Sequence, residues 1–227
     1  IYCHIWLFSM EKKLKQKPIN LVKIVLFGPE STGKTTLSRQ LAHYYHTVWA
    51  PEFAREYLQN KWNTERKTCT AKDLLPIAIG QMKLENKLAK KADKVLICDT
   101  DLLETKVYSE EFYDGFVDDV LNKAAKKNKY DLYLLTYIDT PWEEDDLRDR
   151  PELRLEMFNA FENALKTHNC NYILLKGDKE IRLKKATAAI DKIIAKKENL
   201  YSYSDSLTDL DMHFLHQNND FGTSFEY

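Results

Sequence analysis

A glycine-bounded loop at residues 28–35 (GPESTGKT) constrains this chain more than any other segment. It fits the pattern G-x-x-x-x-G-K-[ST] and stands between an apolar run at residues 21–27 and a segment whose leucines have helical spacing. Only six glycines occur in the chain, and two of them occupy this pattern. The glycines let successive backbone N–H groups turn inward, and the following helix adds its positive end. The sequence therefore predicts a strand, a phosphate-binding loop and a helix, with Lys34 on the β- and γ-phosphates of a nucleotide and the Thr35 hydroxyl on Mg²⁺.

Short apolar runs alternate with helical patterns along the rest of the chain. This alternation is typical of βαβ units, which build a parallel sheet. We therefore expect one α/β domain. The strands are expected at 21–27, 47–50, 95–98, 132–138 and 172–175, and helices after the loop and at 73–91, 114–127, 153–165 and 181–194.

The charge is balanced overall but uneven along the chain. Lys and Arg number 34 against 35 Asp and Glu, and residues 198–227 hold six acids and no base, so residues 1–197 carry 34 bases against 29 acids. The balance argues against nucleic acid as a partner, and the basic body suits either a small polyanion such as a nucleotide or a solvated surface. No apolar run reaches 18 residues, so we expect no membrane partner. None of the four cysteines is spaced as CxxC, which favours a reducing, cytoplasmic setting.

The chain is predicted to have three parts: an N-terminal arm (1–19), a nucleotide-binding domain (20–197) and an acidic C-terminal tail (198–227). Residues 1–9 are apolar but lack the charged start and the cleavage site of a signal peptide. Met10 then opens a stretch that is typical of a cytosolic start. We expect residues 1–9 to be upstream read-through or part of the arm.

A second metal-binding carboxylate is expected at the end of a neighbouring buried strand. Asp99 directly follows the run 95–98, where its side chain would emerge beside Thr35 and hold Mg²⁺ through water. The alternative is that Asp99 caps the next helix and Asp101 is a turn residue. The presence of the phosphate loop favours the metal-binding interpretation.

Glu52 and Arg55 follow the second strand candidate. Because the carboxyl ends of neighbouring parallel strands face one crevice, we expect Glu52 to face it. Its carboxylate could accept a proton from a substrate hydroxyl, and Arg55, one turn later, could clamp a polar or anionic group. The alternative is a capped helix on which Glu52, Arg55 and Glu56 pair at the surface.

A polar, arginine-bearing stretch at residues 140–151 follows the fourth strand candidate and is interpreted as a lid. Arg148 would neutralise charge on a transferring phosphoryl group, and lid closure would exclude water. Trp142 offers a face on which a flat, cationic ring can stack. The alternative is a solvated loop in which Trp142 is a packing anchor.

Four segments in this order, GPESTGKTTL, APEFAREYL, ICDTD and IDTPWEEDDLR, resemble the ribosylnicotinamide kinase domain of NadR-type proteins, and the resemblance spans residues 21–194. It implies a P-loop nucleotide-kinase fold, in which a five-stranded parallel sheet is flanked by helices on both faces and carries a lid segment. It also implies transfer of the γ-phosphate of ATP to the 5′-hydroxyl of nicotinamide riboside, which gives nicotinamide mononucleotide for NAD salvage.

The resemblance also implies a role for each matched position. Asp99 and Asp101 would serve the metal and the ribose, Glu52 and Arg55 would line the substrate pocket, Trp142 would stack on the nicotinamide ring, and Arg148 would be the lid arginine. Either Glu52 or Asp101 would be the catalytic base. The nucleotide-binding residues would be Gly28, Glu30, Ser31, Thr32, Gly33, Lys34, Thr35 and Thr36.

The residues leave two other functions open. The loop chemistry is indifferent to the acceptor, so a kinase for another nucleoside or small metabolite fits the same motifs. A nucleotide-sensing protein that binds ATP without turnover also fits them. None of the six histidines lies in an HxGH motif, so we expect a stand-alone kinase rather than one joined to an adenylyltransferase.

Overall fold

The computed structural model describes residues 9–147 and 151–217. Its five strands are β1 (Val22–Phe27), β2 (Trp49–Ala50), β3 (Val95–Asp99), β4 (Leu132–Thr136) and β5 (Tyr172–Leu175). They lie in the order β2-β3-β1-β4-β5, and every neighbouring pair is parallel. The five-stranded parallel sheet predicted from the apolar runs is confirmed.

Helices connect these strands. Residues 9–13 are helical, and a short 3₁₀ segment occupies Pro151–Leu153. The longer helices are α1 (Lys34–Tyr44), α2 (Phe53–Glu65), α3 (Ala71–Leu88), α4 (Leu102–Phe112), α5 (Asp119–Lys127), α6 (Arg154–Thr167) and α7 (Lys179–Gln217).

The central strand β1 is buried on both faces because the sheet is covered on both sides, and all of its residues except Lys23 are apolar. All six of its residues are buried, as a strand in a covered parallel sheet requires. Val25 and Phe27 belong to the cluster that contains Phe161 of α6, and the Phe27 and Phe161 rings meet edge to face at 5.0 Å. Alternate strand residues face opposite sides, so Ile24 and Leu26 are buried on the other face of the sheet.

The carboxyl ends of four strands meet at one edge of the sheet and position the site. β1 lies between β3 and β4, with Leu26 opposite Asp99 and Phe27 opposite Leu135. When the connections that follow neighbouring strands run to opposite sides of a parallel sheet, a crevice opens between them at this edge. The glycine loop, the residues after β2, the end of β3 and the segment after β4 all border it.

A helix after β3 was expected only in the alternative in which Asp99 caps it, and the structure places the cap of α4 at Asp101 instead. The apolar residues of α4 do not form a stripe, because polar side chains such as Glu104 and Ser109 are buried together with Leu102, Leu103 and Val107. A helix that is buried on most sides lacks the amphipathic period by which helices are recognised.

Two other helices differ from expectation in their limits. Helix α5 begins at Asp119 rather than at residue 114, because the Asp118 carboxylate caps it and accepts hydrogen bonds from Val120 N at 2.8 Å and Leu121 N at 3.3 Å. Helix α7 continues to Gln217, beyond the expected 181–194 and through the first part of the expected tail. No glycine or proline occurs within it to end the helix.

The chain divides into two compact units, one up to Ala188 and one from Ala189 onward. The first contains the sheet, helices α1 to α6 and the candidate site, and the second is the remainder of α7. The domain limits of 20–197 stay a prediction. Across residues 9–147 and 151–217, we find no helix with the length and apolar character needed to cross a membrane.

Candidate active site

The loop between β1 and α1 has the backbone conformation that its glycines predict. Gly28 and Gly33 have φ values of +131° and +81°, in the region that favours glycine. A Cβ atom at residue 28 would lie 2.9 Å from both the carbonyl oxygen and the hydroxyl of Thr136. Because the N-cap residue Gly33 has no side chain, the first N–H groups of α1 can bind an anion.

Buried side chains support the loop from behind. The Thr32 hydroxyl donates to the Pro29 carbonyl at 2.7 Å and lies 2.7 Å from the Thr136 hydroxyl. The Arg182 guanidinium is 4% exposed and donates to the Thr32 carbonyl at 2.5 Å and to the Tyr137 carbonyl at 2.9 Å. These contacts hold the backbone of the loop in the conformation described above.

Lys34 is buried at the start of α1. Its ammonium donates to the carbonyls of Gly28 at 2.5 Å and Pro29 at 2.9 Å, and it lies 3.2 Å from Glu104 Oε1. Burial alone would lower the Lys34 pKa, but the negative charges of Glu104, Glu52 and Asp99 outweigh it and raise the pKa above its ordinary value. Lys34 therefore stays charged and faces a group of carboxylates.

Asp99 ends β3 and lies beneath Lys34 and Thr35. It is fully buried, and neither carboxylate oxygen has a hydrogen-bond partner among the described residues. Burial first, and then the charge of Glu52, raise the Asp99 pKa to about 6, while Thr35 and Lys34 oppose the shift. An unsatisfied buried carboxylate beside a hydroxyl fits a divalent cation that takes its other ligands from phosphate and water. No group of three or more His, Cys, Asp or Glu side chains in the described part of the chain is arranged to hold a metal ion on its own.

Asp101 lies two residues further on but has a different environment. It is the N-cap of α4, and its carboxylate accepts hydrogen bonds from Glu104 N at 3.0 Å and from the Tyr133 hydroxyl at 2.8 Å. Burial is the main cause that raises its pKa to about 7, although these hydrogen bonds oppose it. Thr100, with φ of +76°, turns the chain between the two aspartates. Asp101 lines neither of the two cavities described next.

Two adjoining cavities meet above the loop. The larger is a cleft of about 1090 Å³ that contains residues 30–37 of the loop and α1 and, on its far wall, Asp178, Lys179 and Arg182. The smaller is a pocket of about 250 Å³ that contains Trp142, Met157 and other apolar side chains. The residues that line both are Glu30, Glu52, Leu58, Tyr108 and Leu147.

Glu52 lines both cavities, and Arg55 lines the larger one. Glu52 is the N-cap residue of α2, and no described residue forms a hydrogen bond with its carboxylate. Arg55 is bound instead by a bidentate ion pair with Asp145 of the segment after β4. A second hydrogen bond, from Gln59 Nε2 to Asp146 Oδ2 at 3.1 Å, also joins α2 to this segment. In this structure the guanidinium of Arg55 therefore closes the lid segment onto α2.

Trp142 lies on the wall of the smaller pocket, with the Arg154 guanidinium over its ring at 5.5 Å. Arg154 also donates to the carbonyls of Thr140 at 3.1 Å and Ser31 at 3.2 Å, and the Thr140 hydroxyl donates to Ser31 O at 2.7 Å. One face of the indole is thus occupied by a protein cation, and the lid segment is tied to the phosphate loop. The predicted lid arginine, Arg148, lies outside the described residues.

Three side chains of this site escaped the sequence interpretation: Glu104, Arg154 and Arg182. None lies in the loop motif or directly after an apolar run, and each reaches the site from a helix. The only sequence signal near Glu104 is its spacing. It is the fifth residue after Asp99, where β3 ends, and lies one helical turn beyond Asp101, the N-cap of α4. Arg182 contacts Thr32 across 150 positions of sequence, which no local pattern reveals.

Comparison with known proteins identifies relatives of the same architecture. The chain is 28% identical over 162 residues to the trifunctional NAD biosynthesis/regulator protein NadR of Salmonella typhimurium, which covers 70% of this chain and 39% of that protein. A crystal structure of NadR protein in complex with NR matches with a TM-score of 0.65 at 22% identity, covering 78% of this chain and 52% of the other. Thymidylate kinase from Ehrlichia chaffeensis matches with a TM-score of 0.54 at 18% identity, covering 75% and 100%.

These matches confirm the P-loop kinase fold and the resemblance to NadR-type proteins, of which this chain spans less than half the length. A protein-family model described as AAA domain matches residues 23–182, from the second residue of β1 to the arginine behind the phosphate loop. That range holds the sheet except for Val22, holds both cavities and is more than two thirds of the chain. The chain belongs to this AAA domain family of P-loop proteins.

Proposed function

We propose that this protein is an ATP-dependent kinase that phosphorylates the 5′-hydroxyl of nicotinamide riboside to give nicotinamide mononucleotide. One observation carries the proposal: Glu52, a carboxylate without a hydrogen-bond partner in the described chain, stands where a phosphate-binding cleft meets a pocket with apolar walls. A phosphoryl donor on one side and an alcohol on the other would meet at this carboxylate.

The larger cleft suits the donor nucleotide. The loop backbone and the start of α1 would hold the phosphates, and Lys34 would reach the β- and γ-phosphates from its buried position. Thr35 and Asp99 would hold Mg²⁺. When bound, Mg²⁺ would neutralise charge on the phosphate oxygens.

Glu52 is the better candidate for the base. Both Asp101 oxygens already accept hydrogen bonds, one from the helix it caps and one from Tyr133, and Asp101 lines neither cavity. Glu52 borders both cavities, so its carboxylate can accept the proton of an acceptor hydroxyl while the oxygen attacks the γ-phosphate in line. The bond from that phosphorus to the β,γ-bridging oxygen breaks, and ADP leaves.

The charge of the smaller pocket favours a cationic nucleoside as the acceptor. Its described lining holds four acids, Glu30, Glu52, Glu104 and Asp146, against one base, Arg154. An acceptor that carries a phosphate would need more cations than this pocket offers. Apolar and aromatic walls suit a flat ring, and the pyridinium ring of nicotinamide riboside is positively charged. The likeness to NadR, of which one structure holds NR, supports the same acceptor.

The test is phosphate transfer from ATP, with products identified by mass. The full chain should convert nicotinamide riboside to its mononucleotide, and Glu52→Gln should lower kcat by about 10²–10⁴-fold because proton transfer is lost. ATP affinity should stay unchanged in that variant. Glu56→Gln is the matched control, since Glu56 lies one turn further along α2 and lines neither cavity.

Two results would contradict the proposal, and each points to an alternative. A panel of acceptors tests the first alternative. If phosphate is transferred to other nucleosides but not to nicotinamide riboside, the protein is a kinase with a different substrate. Tight ATP binding without transfer to any acceptor would favour a nucleotide-sensing protein, in which Glu52→Gln has no effect.

A further inference from the structure

Glu104 is a buried carboxylate of the smaller pocket that has no role in the chemistry described so far. It projects from the first turn of α4, is 1% exposed and lines the smaller pocket. Neither of its oxygens has a hydrogen-bond partner among the described residues. A buried carboxylate of this kind is costly unless an opposite charge compensates it, and that charge is the Lys34 ammonium at 3.2 Å from Oε1.

A bound nucleotide would compete with Glu104 for the Lys34 ammonium. Its ammonium has three donor hydrogens. The ammonium donates to the carbonyls of Gly28 and Pro29 and lies 3.2 Å from Glu104 Oε1. Lys34 lines the larger cleft, whereas Glu104 lines only the smaller pocket. A phosphate in the cleft and Glu104 would therefore compete for the donor hydrogens of the ammonium.

We propose that Glu104 couples the two cavities: nucleotide binding draws Lys34 away from Glu104, and the uncompensated carboxylate then selects an acceptor with a positively charged ring. The inference rests on the proposed function, because it assigns the charge preference of the same acceptor pocket. Burial raises the Glu104 pKa well above its ordinary value, and the negative charges around it raise the pKa further. The Lys34 charge opposes this shift, so a neighbouring cation favours the ionised form of Glu104. A cation that enters the pocket replaces the charge that Lys34 withdrew, and a neutral ring does not.

The coupling must be reciprocal, since it is a free energy shared by two binding events. A cationic acceptor should bind more tightly when nucleotide is present, and nucleotide should bind more tightly when that acceptor is present. The phosphates of the nucleotide also attract a cation, so the contribution of Glu104 has to be separated from theirs by substitution.

The experiment is calorimetric titration of the full chain with nicotinamide riboside, with and without the Mg²⁺ complex of AMP-PNP. We expect the nucleotide to tighten binding of the charged riboside by about 5–100-fold, within the usual range of coupling between sites. Reduced nicotinamide riboside, whose ring is neutral, should show less than about a twofold effect. This comparison uses the unaltered protein and does not depend on the folding of any variant.

Two variants then test whether Glu104 is the residue through which nucleotide tightens binding of the charged riboside. Glu104→Gln keeps the size of the side chain and removes its charge, so the nucleotide should no longer tighten binding of the charged riboside. Glu110→Gln is the control, because Glu110 lies on the same helix, pairs with Lys106 at 2.7 Å and lines neither cavity, and it should keep the full coupling.

The outcomes separate the inference from the proposed function. Equal coupling for the charged and the neutral riboside, or full coupling in Glu104→Gln, would overturn the role of Glu104 even if the protein phosphorylates the riboside. Failure of the unaltered protein to transfer phosphate to nicotinamide riboside would overturn the proposed function. If the charged riboside does not bind in the presence of nucleotide, both the role of Glu104 and the proposed function are overturned.

Discussion

Gly28 shows at the scale of a single residue what a motif predicts and what it leaves out. The loop pattern requires glycine at this position, and the observed φ of +131° agrees with that requirement. The pattern does not reveal that Thr136, 108 positions away, closes the space where a Cβ atom would stand. A motif predicts the backbone conformation that a residue must adopt, whereas the tertiary fold determines which residues contact it.

Gly28→Ala should therefore weaken both folding and ATP binding. The left-handed backbone costs an alanine about 1–2 kcal/mol, and the contact with Thr136 adds to that because backbone cannot yield. We expect a lower Tm and ATP binding weakened on the order of tenfold, which corresponds to about 1.4 kcal/mol. Thermal denaturation and calorimetric titration measure the two effects.

Gly115→Ala is the matched control for Gly28→Ala. Gly115 also has a positive φ, +77°, but nothing lies within 4 Å of a Cβ atom there, and it is not part of the site. This substitution should lower the free energy of unfolding only by the cost of left-handed backbone for alanine, about 1–2 kcal/mol, and should leave ATP affinity unchanged. Equal losses of ATP affinity in the two variants would show that the contact with Thr136 is not what the loop requires.

The two aspartates of the ICDTD segment show a limit of prediction from single residues, because their sequence context does not distinguish their roles. The sequence offers both Asp99 and Asp101 as site residues, and the structure separates them through one turned residue, Thr100. Asp99 faces Lys34 and Thr35, whereas Asp101 caps a helix that has no amphipathic period in the sequence. Without that helix, no pattern distinguishes a metal-binding carboxylate from a cap.

At the scale of elements, one carboxylate joins the start of α3 to α2. Asp73 Oδ2 accepts from Lys61 Nζ at 2.5 Å and from both the backbone N–H and the hydroxyl of Thr70, and Oδ1 accepts from the Tyr57 hydroxyl at 3.1 Å. The reciprocal bonds between Thr70 and Asp73 form a capping box. The sequence predicted α3 from its apolar period at residues 73–91, and the cap explains why the helix begins at Ala71.

Asp73→Asn should destabilise the protein by about 1–3 kcal/mol at pH 7, because the hydrogen bonds lose their charged acceptor. Burial alone would raise the Asp73 pKa, but Lys61 and Thr70 outweigh it and lower the pKa below its ordinary value. The stabilisation is thus complete above the unfolded pKa of about 4 and is lost as the pH falls through the lower native pKa.

Urea unfolding of both proteins between pH 7 and pH 3 measures this difference. The gap in the free energy of unfolding between the native protein and Asp73→Asn should be constant from pH 7 to about pH 5 and should narrow below about pH 4. A gap that widens on acidification would show that the carboxylate does not act in its ionised form. Asp114→Asn, on an exposed turn, should show no comparable gap at any pH.

At the scale of the whole molecule, the periodicity of the sequence predicted five parallel strands but not their order. The order β2-β3-β1-β4-β5 depends on which helices cover which face, and several contacts that decide it are remote in sequence. Arg182, for example, joins the ends of β4 and β5 to the phosphate loop through Tyr137, Gly177 and Thr32. The Lys34–Glu104 pair that links the two cavities likewise arises only in the folded chain.

Because the loop is part of this connected core, nucleotide binding should stabilise the whole molecule. A ligand that binds only the folded state at 100 times its Kd adds about 2.7 kcal/mol, which for a protein of this size raises Tm by roughly 5–10 °C. The Mg²⁺ complex of ATP should produce such a shift in thermal denaturation. Lys34→Ala should lower the starting Tm, since Glu104 loses its compensating charge, and should abolish the shift, whereas Lys67→Ala, at an exposed surface pair, should keep it. A full shift in Lys34→Ala would show that the nucleotide binds elsewhere than in the loop, and the assignment of both cavities would then have to be abandoned.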